Sequence, residues 1–318
     1  MATQTIFTDW KPGYAEQWGH VPLKVAHALH QSPLFTLDAI AELIDAYPRQ
    51  HYSLIHMGAQ GGRRFWKEGE LGGLKGRDVI DWIAQGRMWL NLRSVRSVDR
   101  RYADLLDAAY EEIAVRAPGA PMFNTSMGIL VSSPKAQVYY HCDLPGQALW
   151  QIHGRKRILI YPTDKPFLAP ENLEDIALFG IEEDVPYHDW FDAHATVLEL
   201  GPGDMAHWPL NAPHRVENHD MLNVSLTSEH WSDEIVRRHK VNLANGFLRH
   251  RFGYAPRSRA LSGPGYAAKA VLQGVMRRMK WVEQKRSARR PIEFKLDAAT
   301  RGGVVAFAPQ GAFAPLGH

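Results

Sequence analysis

The sequence predicts a mainly β protein with an α/β layer before its core and helices after it. Between residues 122 and 231, short runs of β-branched and aromatic residues alternate with Gly, Pro and Asn punctuation, the mark of a strand-rich unit. Before that unit, apolar residues recur at helical spacing in Leu37–Tyr47 and Arg101–Val115, with strand-like runs at Tyr52–Met57 and Met88–Leu92 between them. After it, Ser232–Phe247 and Gly265–Ala288 again show helical spacing. Three regions follow: 1–121 as a supporting layer, 122–231 as the core with an insertion at 163–193, and 232–318 as a helical, basic region and tail.

The 318 residues suffice for one large domain with extensions. Hydrophobic content of 45% and charged content of 22% suit a soluble globular chain. No run of 18 apolar residues exists, so no membrane span is expected. Met1-Ala2-Thr3-Gln4-Thr5 has neither a basic nor an apolar leader region, and the single Cys142 excludes an internal disulfide, so a cytoplasmic location is expected.

In chain order, residues 1–35 read as an irregular lead-in with Trp10, Pro12, Trp18, Pro22 and Pro33. Thr36 is placed to cap the first helix. Gly58–Gly76 reads as a Gly-rich basic loop without the Gly-Lys-Ser/Thr signature of a phosphate loop. Asp78–Gly86 reads as a short helix, and Arg116–Pro121 as the loop that ends this layer. In the core, strands are expected at 122–124, 127–132, 136–141, 147–152 and 156–161, with Gly154 turning a hairpin between the last two. Thr163–Ala193, with three prolines and the acidic run Glu182-Glu183-Asp184, reads as a rim or lid. Strands resume at 195–200, 204–208, 214–218 and 222–229.

The chemistry concentrates in Tyr140-His141-Cys142-Asp143 and in His214. On a strand, His141 and Asp143 share a face, and His214 arrives from a second strand. Two imidazoles and one carboxylate in this pattern suit a facial triad holding non-haem Fe(II) with open positions. Cys142 points away from them and reads as a small core residue. Thirteen residues after Asp143, Lys156 shares an apolar face with Ile158 and Ile160. A lysine turned inward needs a counter-charge, and a dicarboxylate whose other end chelates the metal would supply it; an exposed lysine is the competing role. His207 is a rival for the third ligand, with pocket or core histidine as its other role.

These residues carry a resemblance. Ser132-Ser133-Pro134, His141-x-Asp143, Trp150-Gln151-Ile152 with Gly154-x-Lys156, Gly203-Asp204…Pro209…His214 and Asn223-Val224-Ser225-Leu226 are similar, in order and spacing, to the JmjC/cupin-like Fe(II)- and 2-oxoglutarate-dependent oxygenases, in their asparaginyl-hydroxylase-like branch. The likeness covers roughly residues 120–230. It implies a double-stranded β-helix (jelly-roll or cupin) core, His141, Asp143 and His214 as metal ligands and catalytic centre, and Lys156 on the distal carboxylate of 2-oxoglutarate. It also places the third ligand ten residues after Asp204, at His214 rather than His207. Gln147 stands where the family often has an Asn near the chelating end, and Val138 where it often has a hydroxyl. By the same analogy Trp89, Asn91 and Trp231 are candidate substrate contacts, with ordinary core packing as the competing role of Trp89.

The implied activity is hydroxylation of a C–H bond on a protein or peptide side chain. Hydroxylation of a small molecule or an RNA base, and a cupin-like module that binds metal or ligand without turnover, are the alternatives; Val138 and Gln147 motivate the last. Residues 257–295 hold 11 Lys/Arg against Glu283 and Glu293. Homodimerisation through the C-terminal helices is the first role considered for that segment, ahead of an acidic macromolecule such as nucleic acid and a membrane surface. A helix packed on its own core with a solvated basic face stands level with the first.

Overall fold

The computed structural model describes residues 5–57, 66–119, 121–180, 182, 185–279, 281, 291–297, 299 and 304–306. Five strands precede the core: β1 (Phe7–Asp9), β2 (Leu23–His27), β3 (Tyr52–Met57), β4 (Trp66–Glu70) and β5 (Met88–Leu92). The core holds β6 (Phe123–Ser132), β7 (Gln137–His141), β8 (Gly146–His153), β9 (Lys156–Ile160), β10 (Thr196–Leu200), β11 (Asp204–His207), β12 (His214–Asn218) and β13 (Asn223–Trp231). Two short strands follow, β14 (Ile292–Leu296) and β15 (Val304–Ala306).

These strands form two sheets. The large one runs β1-β2-β11-β8-β13-β6-β5-β3-β4-β14-β15, and the small one runs β10-β9-β12-β7. The chain passes from one sheet to the other as it runs through the core, so β6, β8, β11 and β13 lie opposite β7, β9, β10 and β12. This is a double-stranded β-helix. All pairings among the core strands are antiparallel.

Side-chain alternation divides the apolar residues into layers. Leu149 and Ala206 of the large sheet meet Ile158, Ile160, Leu200 and Val216 of the small one, so this cluster lies between the sheets. The outer face of the large sheet, with Trp150, Met205, Val224 and Leu226, packs on the N-terminal helices. The outer face of the small sheet, with Tyr140, Leu159 and Tyr161, is covered by Phe167, Leu168, Ile176 and Phe191 of the insertion. Asp192 fastens that cover. It accepts hydrogen bonds from Tyr161 Oη at 2.6 Å and Tyr187 Oη at 2.9 Å, and it pairs with Arg215.

The lead-in is less irregular than its prolines suggest. Leu23-Lys24-Val25-Ala26-His27 alternates buried and outward positions and pairs with β11, extending the large sheet. Trp66–Glu70, expected within a loop, is a strand paired with β3; positions 58–65 of that expectation lie outside the described residues. Phe123–Ser132 form one strand rather than two, carried against β13 through a register shift between Ser126 and Phe123. The expected hairpin at Gly154 is a crossover. Gly154, at φ +78°, sends the chain from β8 in the large sheet to β9 in the small one. A Cβ there would lie 2.3 Å from the Leu222 carbonyl oxygen, which explains the glycine.

At the C-terminal end, helices occupy Asp233–Phe252 and Gly263–Arg278; residues 280 and 282–288 of the second expected helix, Gly265–Ala288, lie outside the described residues. β14 was not expected. It runs parallel to β4, and the Phe294 ring lies where a Cβ on Gly69 would be, at 2.3 Å. No helix among the described residues is long and apolar enough to cross a membrane.

Three histidines are held neutral by burial. His27 is pushed down to about 4, His207 to about 3 and His230 to about 4. Their native forms therefore bind fewer protons than the unfolded chain between about 6.5 and 4. Stability is complete above pH 6.5 and falls with acidification through that window, by roughly 1.4 kcal/mol per pH unit for each histidine. Urea denaturation at pH 7, 5.5 and 4.5 is expected to show a midpoint that drops steeply; a flat midpoint would contradict this.

Candidate metal centre

The register of the small sheet builds the centre. His214, first residue of β12, is the direct cross-strand partner of His141, last residue of β7. Directly opposed side chains lie close together, and the two ring centroids are 4.1 Å apart. Asp143 sits in the turn just past β7, beyond the strand that sequence spacing suggested. Its Oδ2 lies 3.3 Å from His214 Nε2 and 3.9 Å from His141 Nε2. One ligand atom from each residue falls within 4.8 Å of the others, and this is the single such cluster among the described residues.

Both imidazoles are oriented by backbone. His141 Nδ1–H donates to the Tyr139 carbonyl at 2.8 Å, and His214 Nδ1–H donates to the Ala212 carbonyl at 3.0 Å. A carbonyl only accepts, so Nδ1 carries the hydrogen in each ring. The Nε2 lone pairs are therefore the ones turned toward Asp143. His214 is held well below its ordinary pKa, first by burial and then by the neighbouring His141, and so stays neutral as ligation requires. Two imidazole Nε2 atoms and a carboxylate on one side of a buried site fit a divalent metal with open positions on the other.

The turn before β12 supports this group. Asn211 Nδ2 donates to the Asp143 carbonyl at 2.7 Å, and Cys142 Sγ donates to the Asn211 carbonyl at 3.2 Å. Asn211 adopts φ +62°, a conformation that asparagine tolerates better than most residues. The Trp208 ring packs on His214 at 4.5 Å. Sequence reading did not single out Asn211 or Trp208. An Asn between two prolines two residues apart from it was the available signal for the first. The Tyr139 and Ala212 carbonyls have none, because any residue carries one.

Lys156 is only 3% exposed. Its register partners are Leu200 and Asn218, and Ile160, four residues further along β9, is the partner of His214. Lys156 thus lies about 13 Å along the strand from the histidine row. It has no ion-pair partner among the described residues, and burial alone pushes its pKa down to about 7.

Gln147, paired with Glu229, uses its backbone carbonyl to accept from His207 Nδ1 at 2.8 Å. His207 stacks on Trp18 at 3.8 Å and is not in the cluster with Asp143. Asn91 pairs with Leu130 in the large sheet, with its Oδ1 buried. Trp89 joins Trp66 at 5.4 Å in a lateral aromatic group that continues to Tyr139. Trp231 ends β13 past a register shift and meets the His239 ring at 5.7 Å.

No family model matches the chain, and no curated protein does. Among solved structures it is similar to the ribosomal oxygenase YcfD of Escherichia coli in complex with cobalt and 2-oxoglutarate, at 16% identity over 93% of this chain and 76% of that one, TM-score 0.47. Another crystal structure of the same oxygenase aligns at 15% identity, over 93% and 75% of the two chains, TM-score 0.49. The DMSP lyase DddQ of Ruegeria pomeroyi aligns over 34% of this chain and 38% of that one, at 14% identity and TM-score 0.22. The functional reading therefore rests on the site itself.

Removing the Asn211 support is expected to loosen the centre without touching a ligand. Asn211→Ala should weaken Co(II) binding by about tenfold or more, read from the visible absorption of the Co(II)-loaded protein. An affinity equal to wild type would show that the turn does not position Asp143.

Proposed function

We propose that this chain is an Fe(II)- and 2-oxoglutarate-dependent oxygenase that hydroxylates a C–H bond on a protein or peptide side chain. The observation that carries the reading is a paired one. Two tautomer-fixed imidazoles and a carboxylate converge at one end of the β-helix, and a buried cation without a counter-charge lies further along the same sheet. A metal alone would explain the first and leave the second as uncompensated cost. A ligand that chelates the metal at one end and carries a carboxylate at the other explains both.

His141, Asp143 and His214 would hold the iron, and Lys156 the distal carboxylate of 2-oxoglutarate. When bound, this pair would supply the oxidising chemistry with O2 as oxidant, one oxygen atom entering the succinate left by loss of CO2 from the 2-oxo acid and the other the C–H bond. The protein's part is orientation. The Tyr139 and Ala212 carbonyls keep both rings in the ligating tautomer, and Asn211 holds the Asp143 peptide. The apolar residues between the sheets, Ile158, Ile160, Leu149 and Val216, exclude water from the space between Lys156 and the triad. Val138 belongs to that apolar group and offers the distal carboxylate no hydroxyl, so Lys156 carries its charge recognition. Gln147, Asn91, Trp89 and Trp231 stay as candidate contacts for co-substrate or substrate in this reading.

Two further statements belong to the proposal. The helix Gly263–Arg278 leaves Val271 and Val275 exposed one turn apart, a face suited to a homodimer. A reducing cytoplasm suits both Fe(II) and the free Cys142.

Anaerobic titration of the Fe(II) protein with 2-oxoglutarate tests the core of the reading. A visible metal-to-ligand charge-transfer band is expected. It should vanish in His141→Ala, and in Lys156→Ala the half-saturating concentration should rise by about 30-fold or more. Fe(II) bound without a band would sink the 2-oxo acid and favour a cupin-like binding module.

Lys156 also fixes a pH dependence. In the ligand-free protein it loses its proton as pH rises through about 7, whereas a bound carboxylate requires the proton. Affinity for 2-oxoglutarate should therefore decline above pH 7, with proton uptake on binding. Calorimetry at pH 8 in two buffers of different ionisation enthalpy reads that uptake, and buffer-independent heats would contradict it.

A further inference from the structure

A cavity lies at the metal end of the β-helix, bounded by Gly146, His207 and His230 of the large sheet and by Leu168 and Leu173 of the insertion. Its volume is about 630 Å³, within the range of small-molecule pockets. Trp18, Trp208, Gly146, His207, Asn211 and His230 are among its walls, and the Glu234–Arg238 ion pair also lines it. It does not include the triad, yet it shares a wall with it. Trp208 packs on His214, and Asn211 holds Asp143.

The polar character of this cavity can be read from hydrogens. His207 Nδ1 faces the Gln147 carbonyl, so it carries the hydrogen and leaves Nε2 as a pure acceptor. That Nε2 is buried and receives no donor among the described residues. Burial keeps the ring neutral, with its pKa pushed down to about 3. His230 is likewise neutral, and its ring packs against Gly146, where a Cβ would sit 2.4 Å from Cε1. The lining is thus aromatic, with an unmet acceptor and with its charges compensated in an ion pair. Among the described residues of its lining the one arginine, Arg238, is paired with Glu234, and an acceptor group would meet the His207 lone pair head-on.

We propose that this cavity binds a flat, uncharged group bearing an N–H donor, stacked among Trp18, Trp208 and His230 and hydrogen-bonded to His207 Nε2. Such a group comes either as a free heterocycle or as a side chain of a polypeptide. The second source rests on the oxygenase reading above, in which it would be a residue flanking the one hydroxylated. Two neighbouring cavities favour that source. Both meet it at Thr163, one also sharing His20 and Pro209 and the other Asn211 and Arg238, so a chain anchored here has room to continue into a neighbouring cavity.

Indole and benzofuran are the decisive probes, equal in shape and differing in the N–H. Both are titrated by NMR into the full-length, metal-free protein, which separates this test from any failure of the 2-oxoglutarate reading. Indole is expected to bind saturably, shifting the Trp18 and His207 ring signals, and benzofuran to bind about fivefold more weakly. His207→Phe preserves the stack on Trp18 and should erase the difference between the probes. An N- and C-blocked Gly-Trp-Gly peptide then distinguishes the sources: tighter binding than indole assigns a polypeptide side chain, weaker binding a free heterocycle. No saturable indole binding to folded protein, or equal affinity for indole and benzofuran, overturns the proposal. So does a His207→Phe variant that still discriminates them.

Discussion

The cross-strand pair His141–His214 is the constraint on which the centre depends. Antiparallel pairing of β7 and β12 places these residues opposite one another, and no loop has to bring them together. A one-residue slip would turn one histidine to the outer face among Tyr140, Leu159 and the insertion, and would separate the ligands. The register is therefore held from several directions. Pairing with β9 runs through five consecutive residues of β12, and the Arg215 side chain on the other face is tied to Asp192, Tyr161 and Glu217. The insertion looks like a lid in sequence, but in the fold it braces the outside of the ligand-bearing sheet.

Lys156 is the complementary case, a residue that costs stability in the ligand-free protein. A buried ammonium without a partner lowers the stability of the fold that contains it, and a shift to about 7 expresses that cost. Its neighbours Ile158 and Ile160 do nothing to relieve it. Sites that must capture an anion commonly carry such a deficit, because the charge has to be desolvated before the ligand arrives for the attraction to be strong. An apolar replacement at this position would suit the fold better and the proposed ligand worse.

Most of the core was legible because it is written in local signals. Strand-like runs and the His-x-Asp…His spacing identified the elements and the clustered residues with little ambiguity. What escaped was long-range. Leu23–His27 reads as a loop between prolines until β11 is there to pair with it, and Ile292–Leu296 is held between the short Val304–Ala306 and the distant Trp66–Glu70. The crossover at Gly154 resembles a hairpin turn because a positive-φ glycine serves either purpose, and only the pairing of β8 with β13 and of β9 with β12 decides between them. The supports of the centre escaped for another reason. Two are backbone carbonyls, and the third, Asn211, acts through a peptide 68 positions away.

The histidines show how one local device serves two ends. His141, His214 and His207 each donate Nδ1–H to a backbone carbonyl and so present Nε2 as an acceptor. What separates them is strand parity. Ala206 and Trp208, flanking His207 on β11 and just past it, belong to the cluster between the sheets, so His207 itself must face outward, toward Trp18. His141 and His214 are paired across the small sheet and meet Asp143. With a carboxylate beside them, two such lone pairs make a cation site. Without one, and stacked on an indole, the same lone pair is left open to a hydrogen-bond donor. The chemistry of a buried imidazole in this fold is thus set less by its own hydrogen bond than by the sheet face it occupies and the charge it finds there.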